Sequence, residues 1–369
     1  MKKKKTERID YEYNFEEFDE LEAEREMKLA NKKGKKYKKV FISLFCVSVF
    51  TFAFLFYGPW NGFRDFWITT AMTTMNHQYL ATALYSDETI NRVLENNSVI
   101  EPVDVTDTDM IEIYDSEINE IAYKDKYDKE ILDHEEGALY KYIKLKGYKF
   151  DAYLVAVYDA SKISLVHTKY LGKKGEYLVD MAKREKAVVA INGGAFSDPK
   201  GFGNGGKPKG IVIEDGKIIQ SSRNRSHGGG IIGFTNDNKL LLGNMSAKKA
   251  IEKGVRDAVE FGPYLVVNGK SMVVKGNGGF GIHPRTAIGQ RKDGIVLFLV
   301  IDGRRVDSVG ASIKDVANIM LRYGAINAAN LDGGNSSALI INNKIMNRPI
   351  NWGKQEETRP IATGFIVKE

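Results

Sequence analysis

From residue 138 onward, short apolar runs are punctuated by glycine, asparagine and aspartate, the pattern of strands joined by tight turns. Residues 140–145, 152–158 and 163–168 read as half-buried strands. Over 175–186, Tyr177, Leu178, Met181 and Ala182 share one side, which predicts a helix. It leads into 187–191, AVVAI, an unbroken apolar run suited to a strand covered on both faces. Hairpins are predicted over 210–219 and 229–243, a short helix over 246–253, and a strand pair over 258–267 broken at Gly262 and Pro263. Residues 286–290 turn into 295–301, IVLFLVI, the most apolar run here and the expected central strand. Ser312 with Asp315 three positions on forms a capping box, opening a helix with Val316, Ile319, Met320 and Tyr323 on its buried face. A strand over 326–331, a hairpin over 338–346 and a closing strand over 359–367 complete an α+β domain over 138–369: a mixed β-sheet core with a few packed helices.

Upstream the pattern changes. Residues 40–57, VFISLFCVSVFTFAFLFY, carry no charge and are long enough for one helical crossing of a hydrocarbon core of about 30 Å. The run lies far from the first residue and is followed by Gly58, Pro59 and Trp60, without the small-residue site of a cleaved leader. Residues 40–58 therefore read as a single transmembrane helix in contact with membrane lipid. Trp67, Ala71 and Met75 at intervals of four begin a helical stretch, and Ser86 is suited to cap a second helix carrying Ile90, Val93 and Leu94. Residues 98–137 are acidic and lack a period. The whole of 59–137 reads as a helical stalk or connector.

Charge sharpens the topology. The chain carries a net charge of +6, and its lysines cluster at Lys2–Lys5 and between Lys32 and Lys39, on either side of an acidic segment. Residues 1–39 thus read as a mobile or weakly helical cytoplasmic tail, and the excess of lysine before the apolar run places everything after it outside the cytoplasm. Lysines beside a membrane suit topology or anionic lipid, so no nucleic-acid partner is expected. Cys46, the only cysteine, lies inside the apolar run, so the exported domain must hold together by its core alone.

Three apolar runs end in the same punctuation: Asn192 with Gly193 and Gly194, Asp302 with Gly303 and Arg304, and Asp332 with Gly333, Gly334, Asn335, Ser336 and Ser337. Glycine at a strand end lets backbone approach a ligand closely, so these ends are expected to meet in one cleft. Ser336 and Ser337 lie in no nucleophile elbow and read as hydrogen-bonding groups. His227 and His283 lack a second histidine at metal-ligand spacing, so neither a metal nor a cofactor is expected.

The ordered set NGGAF at 192–196, FGPYLVVNGK at 261–270, HPRTAIG at 283–289, DGR at 302–304, LDGGNSSAL at 331–339 and RPIATGFIV at 359–367 resembles the phosphodiester glycosidase family, including its bacterial, exopolysaccharide-associated members. Asn335 and Ala195 depart from the usual glycine and aromatic. The resemblance implies hydrolysis of a sugar joined through its anomeric carbon to a phosphodiester. An oxocarbenium-like transition state needs a carboxylate near the ring, and the departing phosphate needs cationic donors. Asp332 and Asp302 are the candidate carboxylates, with Glu260 a third candidate base. Arg285, Arg304 and Arg359 are the candidate phosphate ligands, and Asn192, Gly193, Thr286, Gly333, Gly334, Asn335, Ser336 and Ser337 complete the substrate contacts. The implied partner is a sugar-phosphate-containing surface polysaccharide or its precursor. A non-catalytic glycan-binding module assisting polymer assembly is the competing reading.

Overall fold

The computed structural model describes residues 15–74, 77–102, 104–113, 123–197, 204–223, 228–351, 354–355 and 358–369. Met75, His227 and residues 198–203 of the glycine-rich stretch lie outside them. The chain forms two compact units, 1–64 and 65–369. In the first, one helix, Phe15–Tyr57, runs unbroken through the basic segment and the apolar run. Among the described residues it is the one helix long and apolar enough to cross a membrane. The expected loose tail is thus helical from Phe15, since its Glu, Lys, Met, Leu and Ala residues are strong helix formers.

The second unit is α+β, and every described strand pair in its larger sheets is antiparallel. A seven-stranded sheet runs in the order Lys270–Ser271, Tyr264–Val267, Ala325–Leu331, Arg285–Arg291, Val296–Ile301, Phe150–Val157, Tyr140–Gly147. One five-stranded sheet runs Lys344–Ile345, Leu339–Ile341, Ala187–Asn192, Thr363–Lys368, Ile163–His167. A second runs Leu240–Gly243, Gly230–Thr235, Val255–Phe261, Val212–Glu214, Lys217–Gln220. The middle position of the largest sheet is held by Arg285–Arg291, and the more apolar Val296–Ile301 stands beside it.

Inner faces of all three sheets meet in one core containing Val155, Phe298, Val300, Ile191, Phe365, Phe234 and Val259. Each such side chain contributes about 1.5–3 kcal/mol on burial. Strand alternation sends the next residues the other way. Leu297, Leu299 and Ile301 pack beneath the helix Ile313–Arg322, which begins at the Ser312–Asp315 capping box. Ala190 and Ile366 pack beneath the helix Leu178–Glu185.

The stretch read as a stalk belongs to this second unit from Asp65 onward. Helices Asn61–Met72 and Asp87–Asn96, the latter capped by Ser86 as predicted, bury Ile68, Ala71, Ile90 and Val93 against each other. The aperiodic acidic stretch is held by single attachments. Ser98–Ile100 pairs with Val273–Lys275, and Glu101 accepts from the backbone of Gly229 and Tyr264. Thr106 exchanges bonds with Leu242, and helix Lys126–Leu132 buries Ile131.

Candidate active site

Where Ala325–Leu331 and Val296–Ile301 end and Arg285–Arg291 begins, the sheet borders a cleft of about 660 Å³. Arg285 stands opposite Ile301, and Thr286 opposite both Val300 and Leu331. This register carries Asp302 and Asp332 to the same sheet edge, but alternation turns their side chains to opposite faces. Asn330 and Asp332 line the cleft. Asp302 follows Val300 toward the core, where it is 1% exposed.

Asp332 is the only carboxylate among the described residues of the cleft wall. Its backbone N donates to Gly193 O at 3.1 Å, and its backbone O accepts from Asn192 Nδ2 at 2.6 Å. Oδ2 accepts from Ser336 Oγ at 2.6 Å and from Arg359 Nη2 at 3.5 Å, while Arg359 also donates to Ser336 Oγ from Nε at 2.9 Å. Ser336 is therefore a relay between a cation and a carboxylate. Among the described residues, Oδ1 has no hydrogen-bond donor. The Arg359 guanidinium lies 4.6 Å from the Phe196 ring centre, which fixes its plane.

Arg304 and Arg285 complete the charged wall. Arg304 adopts φ +60°, and its guanidinium donates to Asn335 Oδ1 and covers Gly334 so closely that a Cβ there would lie 3.2 Å from Nη2. Gly333 is equally constrained, a Cβ meeting Pro284 O at 2.8 Å. The buried Arg285 donates to the carbonyls of Ala311, Phe280 and Gly281. Burial, and then the charge of Arg304, push its pKa down to about 10. His283 also lines the cleft, with Nε2 3.0 Å from Thr73 Oγ1. Burial first, then Arg285 and Arg304, hold its pKa well below the usual histidine value, so the ring is neutral near pH 7. The wall thus carries several cations against one carboxylate, and it suits an anionic ligand.

The other candidates stand behind the wall. Asn192 is a buried bracket: besides holding Asp332 it accepts from Thr286 Oγ1 at 2.7 Å and from Ala338 N at 3.1 Å. Gly193 packs on Thr363, whose Oγ1 would lie 2.7 Å from a Cβ. Ser337 is buried, its Oγ unpartnered among the described residues. Asp302 does not reach the cleft. It accepts from Tyr153 OH at 2.8 Å, from Asn347 Nδ2 at 3.2 Å, and from Arg348 N at 2.9 Å. Glu260 lies in the interior, accepting from Arg223 Nε at 2.8 Å and Ile211 N at 3.1 Å. Neither carboxylate stands where it would touch a ligand in the cleft. Among the described residues, no group of three His, Cys, Asp or Glu side chains could hold a metal ion.

Residues 185–368 match the phosphodiester glycosidase family model. The chain carries a domain of the phosphodiester glycosidase family. The glycosidase domain is 32% identical over 198 residues to the SPbeta prophage-derived uncharacterized protein YomE of Bacillus subtilis (strain 168), covering 52% of this chain and 30% of that protein. It is 26% identical over 191 residues to human N-acetylglucosamine-1-phosphodiester alpha-N-acetylglucosaminidase, covering 46% of this chain and 35% of the human protein. The chain thus spans about a third of the length of these relatives. The zebrafish enzyme of the same name, solved as a catalytic domain auto-inhibited by its pro-peptide, shares the fold with a TM-score of 0.52 and 22% identity, over 65% of this chain and 86% of that one.

Several residues of the glycosidase domain's cleft escape a reading of the sequence. Lys209 sits in a glycine-rich stretch without period, and Asn330 is hidden inside a strand. Phe66, Trp67 and Thr70 come from the helix read as stalk. Two buried asparagines, Asn327 and Asn330, in a strand whose other residues are apolar were the available signal, because a buried amide needs a reason. The Asn330 amide donates to Gly262 O at 3.0 Å, and its oxygen has no partner among the described residues.

Proposed function

We propose that this chain is a membrane-anchored, extracytoplasmic hydrolase that cleaves the bond between the anomeric carbon of a sugar and a phosphodiester oxygen. The observation that carries the reading is the single carboxylate among the described cleft residues, Asp332, bound on one oxygen to the Ser336–Arg359 relay and lining the same cavity as Arg304 and Lys209. Asp332 Oδ1 takes a proton from water as the water oxygen bonds to the anomeric carbon. The C–O bond breaks, its electron pair stays on the phosphate oxygen, and a free sugar and a phosphate monoester result. The monoester leaves as a stabilised anion, so no general acid is required, and Arg359, Arg304 and Lys209 bind the charge that develops on it. Ser336 and Arg359 hold Asp332 in place, and Asn192 fixes the backbone that carries it.

The name of the human relative supports an N-acetylglucosamine-1-phosphodiester-like substrate, which we place in a surface polysaccharide or its precursor. The apolar helix supports anchoring, and the lysines before the apolar run support an inside N-terminus. The test is release of free N-acetylglucosamine from its 1-phosphate methyl diester by the full chain in detergent. Asp332→Asn lowers turnover by about 10²–10⁴-fold, the contribution of a positioned base. A wild-type chain that binds the diester and releases no sugar is a glycan-binding module and not an enzyme.

A further inference from the structure

The cleft has two chemically different walls. The charged wall of Asp332, Arg304, Arg359 and Lys209 belongs to the stretch that matches the family, 185–368. The lining also includes a set of apolar side chains, Phe66, Trp67, Leu80, Phe280, Ile282 and Ile350, of which the first three lie outside that stretch. Trp67 is fixed by donating from Nε1 to Leu80 O at 2.8 Å, and the adjoining His283, bonded to Thr73, is neutral and adds no charge on this side. Phe66 remains 39% exposed, as a side chain with an absent apolar partner would be. A sugar ring stacks on one aromatic face, and six apolar side chains offer more apolar surface than that contact uses. Phe66 also follows Tyr57, the last residue of the membrane-spanning candidate, by only nine positions. A domain on so short a tether meets membrane-held molecules at high effective concentration.

We infer that the phosphodiester cleaved here is the ester of a long-chain, membrane-held alcohol, whose hydrocarbon lies along the Phe66–Ile282 wall while the phosphate rests on the arginines. This rests on the glycosidase reading and names its leaving group. Water adds to the anomeric carbon, the C–O bond breaks toward phosphate, and the products are free sugar and an alkyl phosphate monoester. The reaction is of the class that strips a sugar from a lipid phosphate carrier.

Two measurements on the full chain in detergent decide the matter. The first is binding of alkyl phosphates from methyl to decyl, the leaving groups themselves, followed by intrinsic tryptophan fluorescence. Each fully buried methylene is worth roughly fourfold in affinity, so decyl phosphate binds at least about tenfold more tightly than methyl phosphate. Flat affinity along the series overturns the inference, whatever the turnover. The second is the ratio of kcat/KM for decyl and methyl esters of the sugar 1-phosphate, in wild type and in Phe66→Ser and Ile282→Ser variants. The ratio falls by about fivefold or more in each variant, and micelle partitioning cancels because it is common to all three proteins. An unchanged ratio overturns the inference even if overall activity drops. Hydrolysis of neither ester overturns the glycosidase reading, and the binding series then decides by itself whether the apolar wall holds a hydrocarbon chain.

Discussion

At the scale of single residues, Asp302 and Asp332 look interchangeable in sequence, each an aspartate closing an apolar strand and followed by glycine. The period of two in a strand decides between them. Asp302 falls in step with Phe298 and Val300 and turns into the core, where Tyr153, Asn347 and Arg348 occupy it. Asp332 falls in step with Asn330 and turns into the cleft. The two asparagine variants therefore fail differently. Asp332→Asn folds and does not turn over. Asp302→Asn lowers unfolding free energy by about 1–3 kcal/mol, because buried donors lose their acceptor, and it retains turnover in proportion to its folded fraction. Urea titration beside the sugar-release assay separates them. His167 gives a pH prediction. It contacts the Glu214 carboxylate across two sheets, and that hydrogen bond raises its pKa against the opposing effects of burial and Arg184. A raised folded pKa gives stability that is fully present below about pH 6.5, the unfolded value, and lost as pH rises through the folded one. Urea midpoints fall across that window, and Glu214→Gln removes the slope. The pair is partly exposed, so the effect is under about 1 kcal/mol.

At the scale of elements, most of the domain was legible because its strands and helices bury one face each. The helix Ile313–Arg322 shows it fully: cap, box partner and buried face are all where the period places them. Ser312→Ala removes the acceptor for Asp315 N and costs about 0.5–2 kcal/mol, readable as a lower urea midpoint with unchanged slope. The described residues between 105 and 132 were not legible, because Thr106, Asp107 and Glu112 attach through isolated bonds, Ile111 is buried singly and one short helix follows, and none of these imposes a period. The site was half legible for a related reason. Glycine and aspartate mark where strands end, but which end faces which wall depends on pairing register, and register between distant strands leaves no mark in a single sequence.

For the whole molecule, the division falls between residues 64 and 65, not at 137. A chain beginning at residue 138 lacks Glu101 and Thr106, the buried Ile131, and the Phe66–Trp67 wall. It is predicted to show a urea midpoint well below that of a chain beginning at residue 59, since each lost buried isoleucine alone removes about 1.5–3 kcal/mol. Equal midpoints would return residues 65–137 to the status of a stalk. The chain beginning at residue 59 lacks the apolar helix and partitions into the aqueous phase on detergent phase separation, whereas the full chain follows the detergent.

The strand Thr363–Lys368 lies between Ala187–Asn192 and Ile163–His167, partners completed about 170 residues earlier in sequence. During synthesis those two strands wait, each with an unpaired edge, for almost half the chain to arrive. Arg359 and Thr363, which bind Ser336 and the Gly193–Gly194 backbone, enter with that last strand. The cleft around Asp332 is therefore incomplete in any partly made chain, and the step that closes the sheet is also the step that completes the candidate site.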